Sequence, residues 1–248
     1  MTIFGVPVSQ PVRAVVWPCL IKRCPFKFQP VTPGKEGKRG TRSLEFLEMN
    51  PSGQIPAIDD GGFKMGESMA IMTYLAETRR WSDLWPTDAQ ERARVNMYLH
   101  YHHRNVREAS ALLIAPLFTG AKSAPDVNEN RRTNLVIALS TLEEHYLDDK
   151  PYLAGDTVTL ADLACYSELA QLLPQFQNLW DFGATPNVRQ WCLRMSQVPY
   201  HDDVMLCNTL LGDGSSLLAN GQPFPLESMI AANKEAMKRL AVLTEEMH

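Results

Sequence analysis

The fold is decided by residues 50–68, which read NPSGQIPAID followed by DGGFKMGES. Residues 55–59 and 63–65 are short strand-like runs, and the Asp60-Gly61-Gly62 sequence between them is typical of a tight hairpin turn. The pattern then changes to that of a helix over residues 67–78. This stretch therefore predicts two adjacent strands and a helix that begins directly after the second strand.

Upstream of this hairpin, strand and helix patterns alternate. Predicted strands cover residues 2–6 and 26–31, and they are followed by predicted helices over residues 9–23 and 42–49. A loop rich in glycine, proline and lysine, residues 32–40, precedes the second of these helices. The order is βαβαββα, which predicts an α/β domain.

Downstream of residue 78 we find no further convincing strand pattern. An amphipathic pattern covers the tail, residues 226–247. The other long helical patterns lie at residues 89–115, 127–147, 159–173 and 186–197.

The change of pattern divides the chain into two domains. We assign an α/β domain to residues 1–79 and an all-helical domain to residues 89–248. Residues 80–88 between them include two tryptophans and a proline, which favours a short, packed linker.

The composition excludes several classes of protein. The 248-residue chain is 45% hydrophobic with a formal net charge of −4, so it lacks the positive charge that neutralises nucleic-acid phosphates. Its longest apolar stretches, residues 14–21 and 111–118, are less than half of the roughly 20 residues that span a bilayer. Residues 1–5 lack a secretory pattern, and the five cysteines are odd in number and scattered. We expect a cytosolic protein that binds neither nucleic acid nor membranes.

Three groups of reactive residues invite functional interpretations. Ser9 lies at a strand-to-helix turn, where free amides and the helix dipole favour a bound anion, although the local sequence alone favours an ordinary helix cap. His100, His102 and His103 have no cysteine or carboxylate partner at ligand spacing, so we predict no metal site. Cys19 and Cys24 are not a Cys-x-x-Cys pair, and we interpret Cys19 as a core residue.

Residues 50–68 resemble the glutathione-binding half of cytosolic glutathione transferases, in which an Ile-Pro bond is cis and a Glu-Ser pair starts the next helix. The theta class is most similar, because its members share the Ser-Gln-Pro-x-Arg-Ala-Val run of residues 9–15 and the start of the long helix at residues 91–95. Residues 157–162 match as well, with a capping box that buries Asp162. The resemblance implies a thioredoxin-like α/β domain followed by an all-helical domain, assembled as a homodimer.

The resemblance also implies the glutathione site. Ser9 would hydrogen-bond the glutathione sulfur and hold it as a thiolate, and the Ile55 backbone would pair with glutathione as an added strand does. Ser68 would bind the γ-glutamyl carboxylate at the start of its helix, unless Glu67 and Ser68 are only a capping pair. The remaining predicted glutathione contacts are Gln10, Arg39, Arg42, Gln54, Pro56 and Glu67.

One predicted contact departs from the theta pattern. Theta members usually carry a histidine in the loop after the second strand, and the register counted back from Asn50 puts Thr41 there. We therefore assign the glycyl carboxylate to Arg39 or Arg42, with Gln54 as a further contact.

The resemblance places the electrophile pocket in the helical domain. His103 and Arg107 are its predicted contacts, and the tail helix either covers this pocket or is a plain packing helix. The implied function is a glutathione transferase that joins glutathione, its co-substrate, to small apolar electrophiles such as alkyl halides or epoxides. The alternative is a non-catalytic module of the same fold that binds a protein partner.

Overall fold

The computed structural model of the protein describes residues 1–122 and 124–247. The four strands form one mixed sheet in the order β2-β1-β3-β4, in which β1 and β2 are parallel and the other neighbouring pairs are antiparallel. The first seven elements have the predicted βαβαββα order: β1 (Thr2–Gly5), α1 (Gln10–Ile21), β2 (Lys27–Pro30), α2 (Leu44–Met49), β3 (Ala57–Asp60), β4 (Phe63–Gly66) and α3 (Ser68–Thr78).

The elements described after α3 are all helical, as the sequence predicted. A π-helical turn, Leu142–Tyr146, extends the helix that ends at Thr141, and a 3₁₀ turn, Ala170–Leu172, extends the helix that ends at Leu169. The helices are α4 (Ala89–His102), α5 (Val106–Leu113), α6 (Ala115–Thr119), α7 (Pro125–Thr141), α8 (Leu160–Leu169), α9 (Pro186–Met195), α10 (His201–Leu211), α11 (Ser215–Ala219) and α12 (Leu226–Glu245).

Three helical regions differ from the prediction, and one of them is the short helix α11, which was not predicted. The single helix predicted over residues 89–115 is broken after α4, where the side-chain amide of Asn105 donates to the Tyr101 carbonyl at 2.7 Å and competes with the backbone ladder. Helix α10 was not predicted at all. Its buried face includes the polar residues His201 and Asn208, so its apolar residues do not show a helical period.

Helix α1 lies at the centre of the molecule. Its residues are almost all buried, because it packs on α3 of the α/β half and on α8 and α10 of the helical half. The indole N–H of Trp17 donates to the Pro199 carbonyl at 2.8 Å. Helix α1, which begins directly after Ser9, is therefore held by both halves.

The capping box predicted at the start of α8 is confirmed. Thr159 is the N-cap and its backbone N–H donates to the Asp162 carboxylate at 2.9 Å. Asp162 is fully buried and also accepts from the Leu153 N–H and the Trp191 indole, each at 2.9 Å. Burial raises the pKa of Asp162, and these hydrogen bonds oppose the rise. Asp162 thus joins the start of α8 to α9.

The tail helix α12 is packed over its middle and last turns. Ala232, Ala236, Leu240 and Leu243 are buried, chiefly against α10. The Asn233 side chain accepts the Val8 N–H at 3.1 Å, one residue before Ser9. Neither α12 nor any other helix in the described parts of the chain is long and apolar enough to cross a membrane.

Candidate active site

The strand register gathers six of the predicted site residues at one edge of the sheet. Phe4 pairs with Ala57 and Ala57 pairs with Gly66, so the end of β1, the start of β3 and the end of β4 lie side by side. The residues just beyond these strand ends are Ser9 and Gln10, Ile55 and Pro56, and Glu67 and Ser68.

Ser9 is the N-cap residue of α1, but its hydroxyl does not cap the helix. Its carbonyl oxygen accepts the Arg13 N–H at 3.0 Å, and Pro11 occupies the first turn, where the missing N–H is harmless. The half-buried hydroxyl therefore lies at the positive end of α1, where a bound anion is stabilised.

Arg13 supports this turn from inside the molecule. Its guanidinium is buried and donates to the Val8 carbonyl at 2.6 Å and to the Ser167 carbonyl of α8 at 2.8 Å. Burial lowers the pKa of Arg13 to about 10, so the guanidinium stays positive at neutral pH. This positive charge, one turn after Ser9, favours an anion beside the Ser9 hydroxyl.

The Ile55–Pro56 peptide bond is cis, as the family resemblance implied. Within the described parts of the chain we find no hydrogen bond to the backbone amide or carbonyl of Ile55. Both groups are therefore free to pair with an extended peptide.

Asn50 is a positioning residue that sequence reasoning missed. Its side chain is buried, donates to the Gln54 carbonyl at 2.8 Å and accepts from the Ser52 hydroxyl at 3.0 Å. It also lies against Gly66, where an added Cβ would be 2.6 Å from the Asn50 amide nitrogen. Asn50 thus joins the loop before Ile55 to the strand end before Glu67. An Asn-Pro pair is also an ordinary turn signal, so no separate feature of the sequence indicates this role.

Glu67 and Ser68 form the junction between β4 and α3. Glu67 has a φ of 65°, an unusual conformation for a residue with a side chain, and such strain is concentrated at functional sites. Its side chain does not cap α3. Ser68 is buried at the first position of α3, beside the free amides of that helix start.

A buried carboxylate, Glu168 of α8, lies beside the Ser9 turn. It is 2% exposed, and its Oε1 accepts from the Gln10 side-chain amide at 3.1 Å. Its Oε2 lies 3.8 Å from the Arg107 guanidinium and 3.8 Å from His102 Nε2. Sequence reasoning missed Glu168, although an acid inside the apolar run of residues 160–173 was a signal for it.

The two predicted electrophile contacts have different surroundings. Arg107, on α5, is 40% exposed and borders the Glu168 carboxylate. His103 is exposed at the end of α4, and its neighbour His102 is the buried member of the pair. Burial, together with the positive charge of Arg107, lowers the pKa of His102 to about 3, so this imidazole is neutral at pH 7.

Of the three predicted contacts for the glycyl carboxylate, Arg42 and Gln54 lie together and Arg39 lies apart from them. Arg39 lines a cavity of about 560 Å³ between α2 and the sheet, which none of the other predicted glutathione contacts lines. Arg42 lies against Gly53, beside the exposed Gln54. Thr41 is buried and its hydroxyl accepts the Gly34 N–H at 2.9 Å, so it shapes the loop. Arg42 and Gln54 are therefore next to Ile55, and Arg39 is not.

The residues that the structure describes form no group of three or more histidine, cysteine or acidic side chains able to hold a metal ion. The five cysteines are free thiols. The chemistry available at the edge of the sheet is therefore that of hydroxyls, free amides and the buried charges of Arg13 and Glu168.

Comparison with known proteins gives a consistent result. Family models for the glutathione S-transferase N-terminal and C-terminal domains match residues 3–82 and 95–199. Human glutathione S-transferase theta-2 is 36% identical over 190 residues, which cover 74% of this chain and 75% of the human protein. Rat glutathione S-transferase theta-1 is 34% identical over 195 residues, covering 76% of this chain and 79% of the rat protein.

Solved structures agree with these relatives. A crystal structure of human glutathione transferase theta-2, in complex with glutathione and an unknown ligand, has a TM-score of 0.76 at 28% identity and covers 98% of this chain and 99% of its own. A delta-class glutathione transferase from Nilaparvata lugens has a TM-score of 0.69 at 24% identity, covering 100% and 99%, and supports the fold alone.

Proposed function

The chain belongs to the glutathione S-transferase family and is a glutathione transferase, and from this premise we propose that Ser9 activates the glutathione thiol. The observation that carries the proposal is the Ser9 hydroxyl, which lies at the start of α1 and is not used as a cap. A thiol with a pKa near 8.5 is only a few per cent ionised at pH 7. Lowering that pKa by about two units requires roughly 2.7 kcal/mol of thiolate stabilisation.

Three features together provide stabilisation of that size. A hydroxyl donor to a thiolate is a charge-assisted hydrogen bond, which contributes about 1.5 to 3 kcal/mol. The N-terminus of α1 adds about 0.3 to 1 kcal/mol. The buried guanidinium of Arg13 favours the anion further. No separate general base is needed, because the released proton passes to solvent.

We assign the rest of the glutathione molecule to the same edge of the sheet. The Ile55 backbone, beside Pro56, pairs with the peptide part of glutathione, and Ser68 binds its γ-glutamyl carboxylate. The exposed carboxylate of Glu67 binds the ammonium group, since the positive φ of Glu67 sets it at the junction. Gln10 is a further contact.

The glycyl carboxylate is assigned to Arg42 with Gln54. Both lie next to Ile55, whereas Arg39 lines the cavity beneath α2. Arg39 stays a weaker alternative for this role.

We propose small apolar electrophiles, such as alkyl halides or epoxides, as the second substrates. The thiolate sulfur forms a bond to the electrophilic carbon, and the bond to the halide or epoxide oxygen breaks with its electron pair. The half-exposed guanidinium of Arg107 suits the negative charge that develops on this leaving group, and His103 lies at the neighbouring helix end.

Two serine variants test the proposal. Ser9→Ala should lower the conjugation rate near neutral pH by about 10- to 100-fold with little change in glutathione affinity. Ser68→Ala should instead weaken glutathione binding by about 1.5 to 3 kcal/mol. Initial rates of conjugation measure the first effect, titration of the thiolate absorbance of bound glutathione shows whether it comes from the pKa of the thiol, and calorimetry measures the second effect.

A matched control is Ser216→Ala, on an exposed turn of α11, which should change neither quantity. Equal rates for Ser9→Ala and wild type across the pH range would remove Ser9 from the mechanism. An unchanged dissociation constant for Ser68→Ala would make the Glu67-Ser68 pair only a helix cap.

The homodimer that the family resemblance implies belongs to the same proposal. Large apolar side chains are exposed on β4 and α4, at Phe63 and Met97. Light scattering of the purified protein should give twice the mass of one chain.

A further inference from the structure

The C-terminal end of α1 brings two cysteines together. The Cys24 N–H donates to the Cys19 carbonyl at 2.8 Å, and the Arg23 N–H donates to the Leu20 carbonyl at 3.0 Å. Arg23 has a φ of 46°. These are the two hydrogen bonds and the left-handed residue of a Schellman motif, which ends a helix by folding the chain back over its last turn.

A Schellman motif usually places two apolar side chains in contact, one from the last turn and one from the residue after the left-handed position. Here both of those residues are cysteines. Cys19 belongs to the main hydrophobic core, Cys24 packs against that core, and each thiol shifts the pKa of the other. Because neighbouring sulfurs need only a short movement to form a bond of about 2 Å, the backbone presents this pair for disulfide formation.

The two thiols have different surroundings. Cys19 is fully buried, whereas Cys24 is half-buried, and the positive Arg79 guanidinium acts on its thiol. Arg79 is held in turn by both carboxylate oxygens of Asp60, each at 2.7 Å. The interaction with Cys19, together with the positive charge of Arg79, lowers the pKa of Cys24 to about 6. The same contact and burial raise the pKa of Cys19 well above its ordinary value.

We propose that Cys24 and Cys19 form a thiol–disulfide exchange site, in which Cys24 attacks a small anionic disulfide and Cys19 resolves the product. Cys24 has the accessibility and the neighbouring cation of an attacking thiol. Cys19, fixed behind it, has the position of a resolving thiol. Oxidised glutathione is the disulfide that a glutathione-dependent enzyme meets together with its substrate.

The exchange is balanced in two steps. The Cys24 thiolate forms a bond to one sulfur of oxidised glutathione, and the other sulfur leaves as a glutathione thiolate with its electron pair. Cys19 then loses its proton to solvent and attacks the Cys24 sulfur, which releases the second glutathione thiolate. The protein dithiol is oxidised to an internal disulfide, and one oxidised glutathione is reduced to two glutathione molecules.

The charges around Cys24 favour an anionic disulfide. Arg79 and the N-terminal ammonium group act on the Cys24 sulfur. Asp60, an acid that acts on Cys19, is paired with Arg79. Oxidised glutathione carries more carboxylates than ammonium groups, so the positive groups around Cys24 attract it.

The remaining cysteines do not compete for the disulfide. Cys165, Cys192 and Cys207 are buried. Burial raises the pKa of each of these thiols, to about 12 for Cys207. The site is also separate from Ser9, since α1 places about 18 Å of helix between the two.

The experiment treats the reduced full-length protein with oxidised glutathione at neutral pH and follows intact mass and peptide maps. Wild type should lose two of its five free thiols, with a Cys19–Cys24 peptide as the product. Cys19→Ser should stop at one glutathionyl group on Cys24, and Cys24→Ser should gain nothing. Ser9→Ala should behave as wild type, so the result does not depend on the transferase mechanism.

The pH dependence provides a second test. In Cys19→Ser, whose hydroxyl still donates to Cys24, the rate of glutathionylation should follow thiolate formation with a midpoint near 6. Adding Arg79→Gln should move this midpoint upward, whereas the exposed neighbour change Arg80→Gln should not. A mixed disulfide that persists in wild type, or one formed on another cysteine, would overturn the proposal.

Discussion

At the scale of single residues, the Ser9 turn depends on a buried negative charge. Glu168 accepts from Gln10 and lies near Arg107, so it contacts groups from α1 and α5 as well as its own helix. It is also the nearby anion for the buried guanidinium of Arg13. Removing one partner from such a cluster leaves the other charges buried without compensation.

Glu168→Gln should therefore lower the free energy of unfolding by about 1 to 3 kcal/mol, even though the shape of the side chain is kept. Arg107→Gln should lower it by less than about 1 kcal/mol, because water screens the half-exposed guanidinium. Urea denaturation measures both changes. The double variant should lose less than the sum of the two single variants. A Glu168→Gln protein as stable as wild type would contradict this account.

The same residue shows where sequence reasoning ends. Ser9, Ile55 and Ser68 stand at strand and helix ends, which turn signals mark locally, and the family resemblance of short stretches around them predicted their roles. Glu168 contacts Gln10 across 158 positions of the chain. Nothing near residue 168 indicates this partner, and only the fold brings the two together.

At the scale of elements, the α/β half was predicted well because short local stretches of sequence mark its turns. Asp60-Gly61-Gly62 marks the hairpin, and Pro11 marks the start of α1. The helical half was predicted less well. Asn105 interrupts the long helix through its side chain, and α10 buries polar residues, and neither effect shows in an apolar period.

The contact between Gly66 and Asn50 is the element-scale feature that we expect to matter most for glutathione binding. Gly66→Ala would put a Cβ 2.6 to 2.8 Å from three atoms of the Asn50 side chain. Asn50 has no free movement, because it is hydrogen-bonded to Gln54 and Ser52. The variant should therefore displace the loop before Ile55 and weaken glutathione binding by about 1 to 3 kcal/mol.

Calorimetric titration with glutathione checks this expectation. The control is Gly183→Ala on an exposed loop, where the nearest atom to the new Cβ is a carboxylate oxygen of Asp181 at 3.1 Å. In an Asn50→Ala background the same Gly66→Ala change should weaken glutathione binding less, because the clashing atoms are gone. An equal loss of glutathione affinity in both backgrounds would show that Asn50 is not the obstacle.

At the scale of the whole molecule, α12 connects the end of the chain to the turn at its start. Asn233 bonds to the Val8 N–H, and the Arg23 guanidinium donates to the Glu246 carbonyl at 3.0 Å. The sequence predicted an amphipathic helix here but left open whether it covers the electrophile pocket or packs on the core. Its buried residues favour packing over most of its length, and its first turns keep Leu226 and Ile230 exposed.

Two leucines of α12 separate these roles. Leu240 is 3% exposed and belongs to the main hydrophobic core, so Leu240→Ala should lower the free energy of unfolding by about 2 to 5 kcal/mol. Leu226 is 67% exposed, so Leu226→Ala should change the free energy of unfolding by no more than about 0.5 kcal/mol.

If the first turns of α12 border the electrophile pocket, Leu226→Ala should still alter the relative rates with large and small electrophiles. Denaturation curves and a substrate series measure the two effects. A stable Leu240→Ala protein with altered substrate range would instead make the whole helix a lid, because a packed helix cannot lose Leu240 without losing stability.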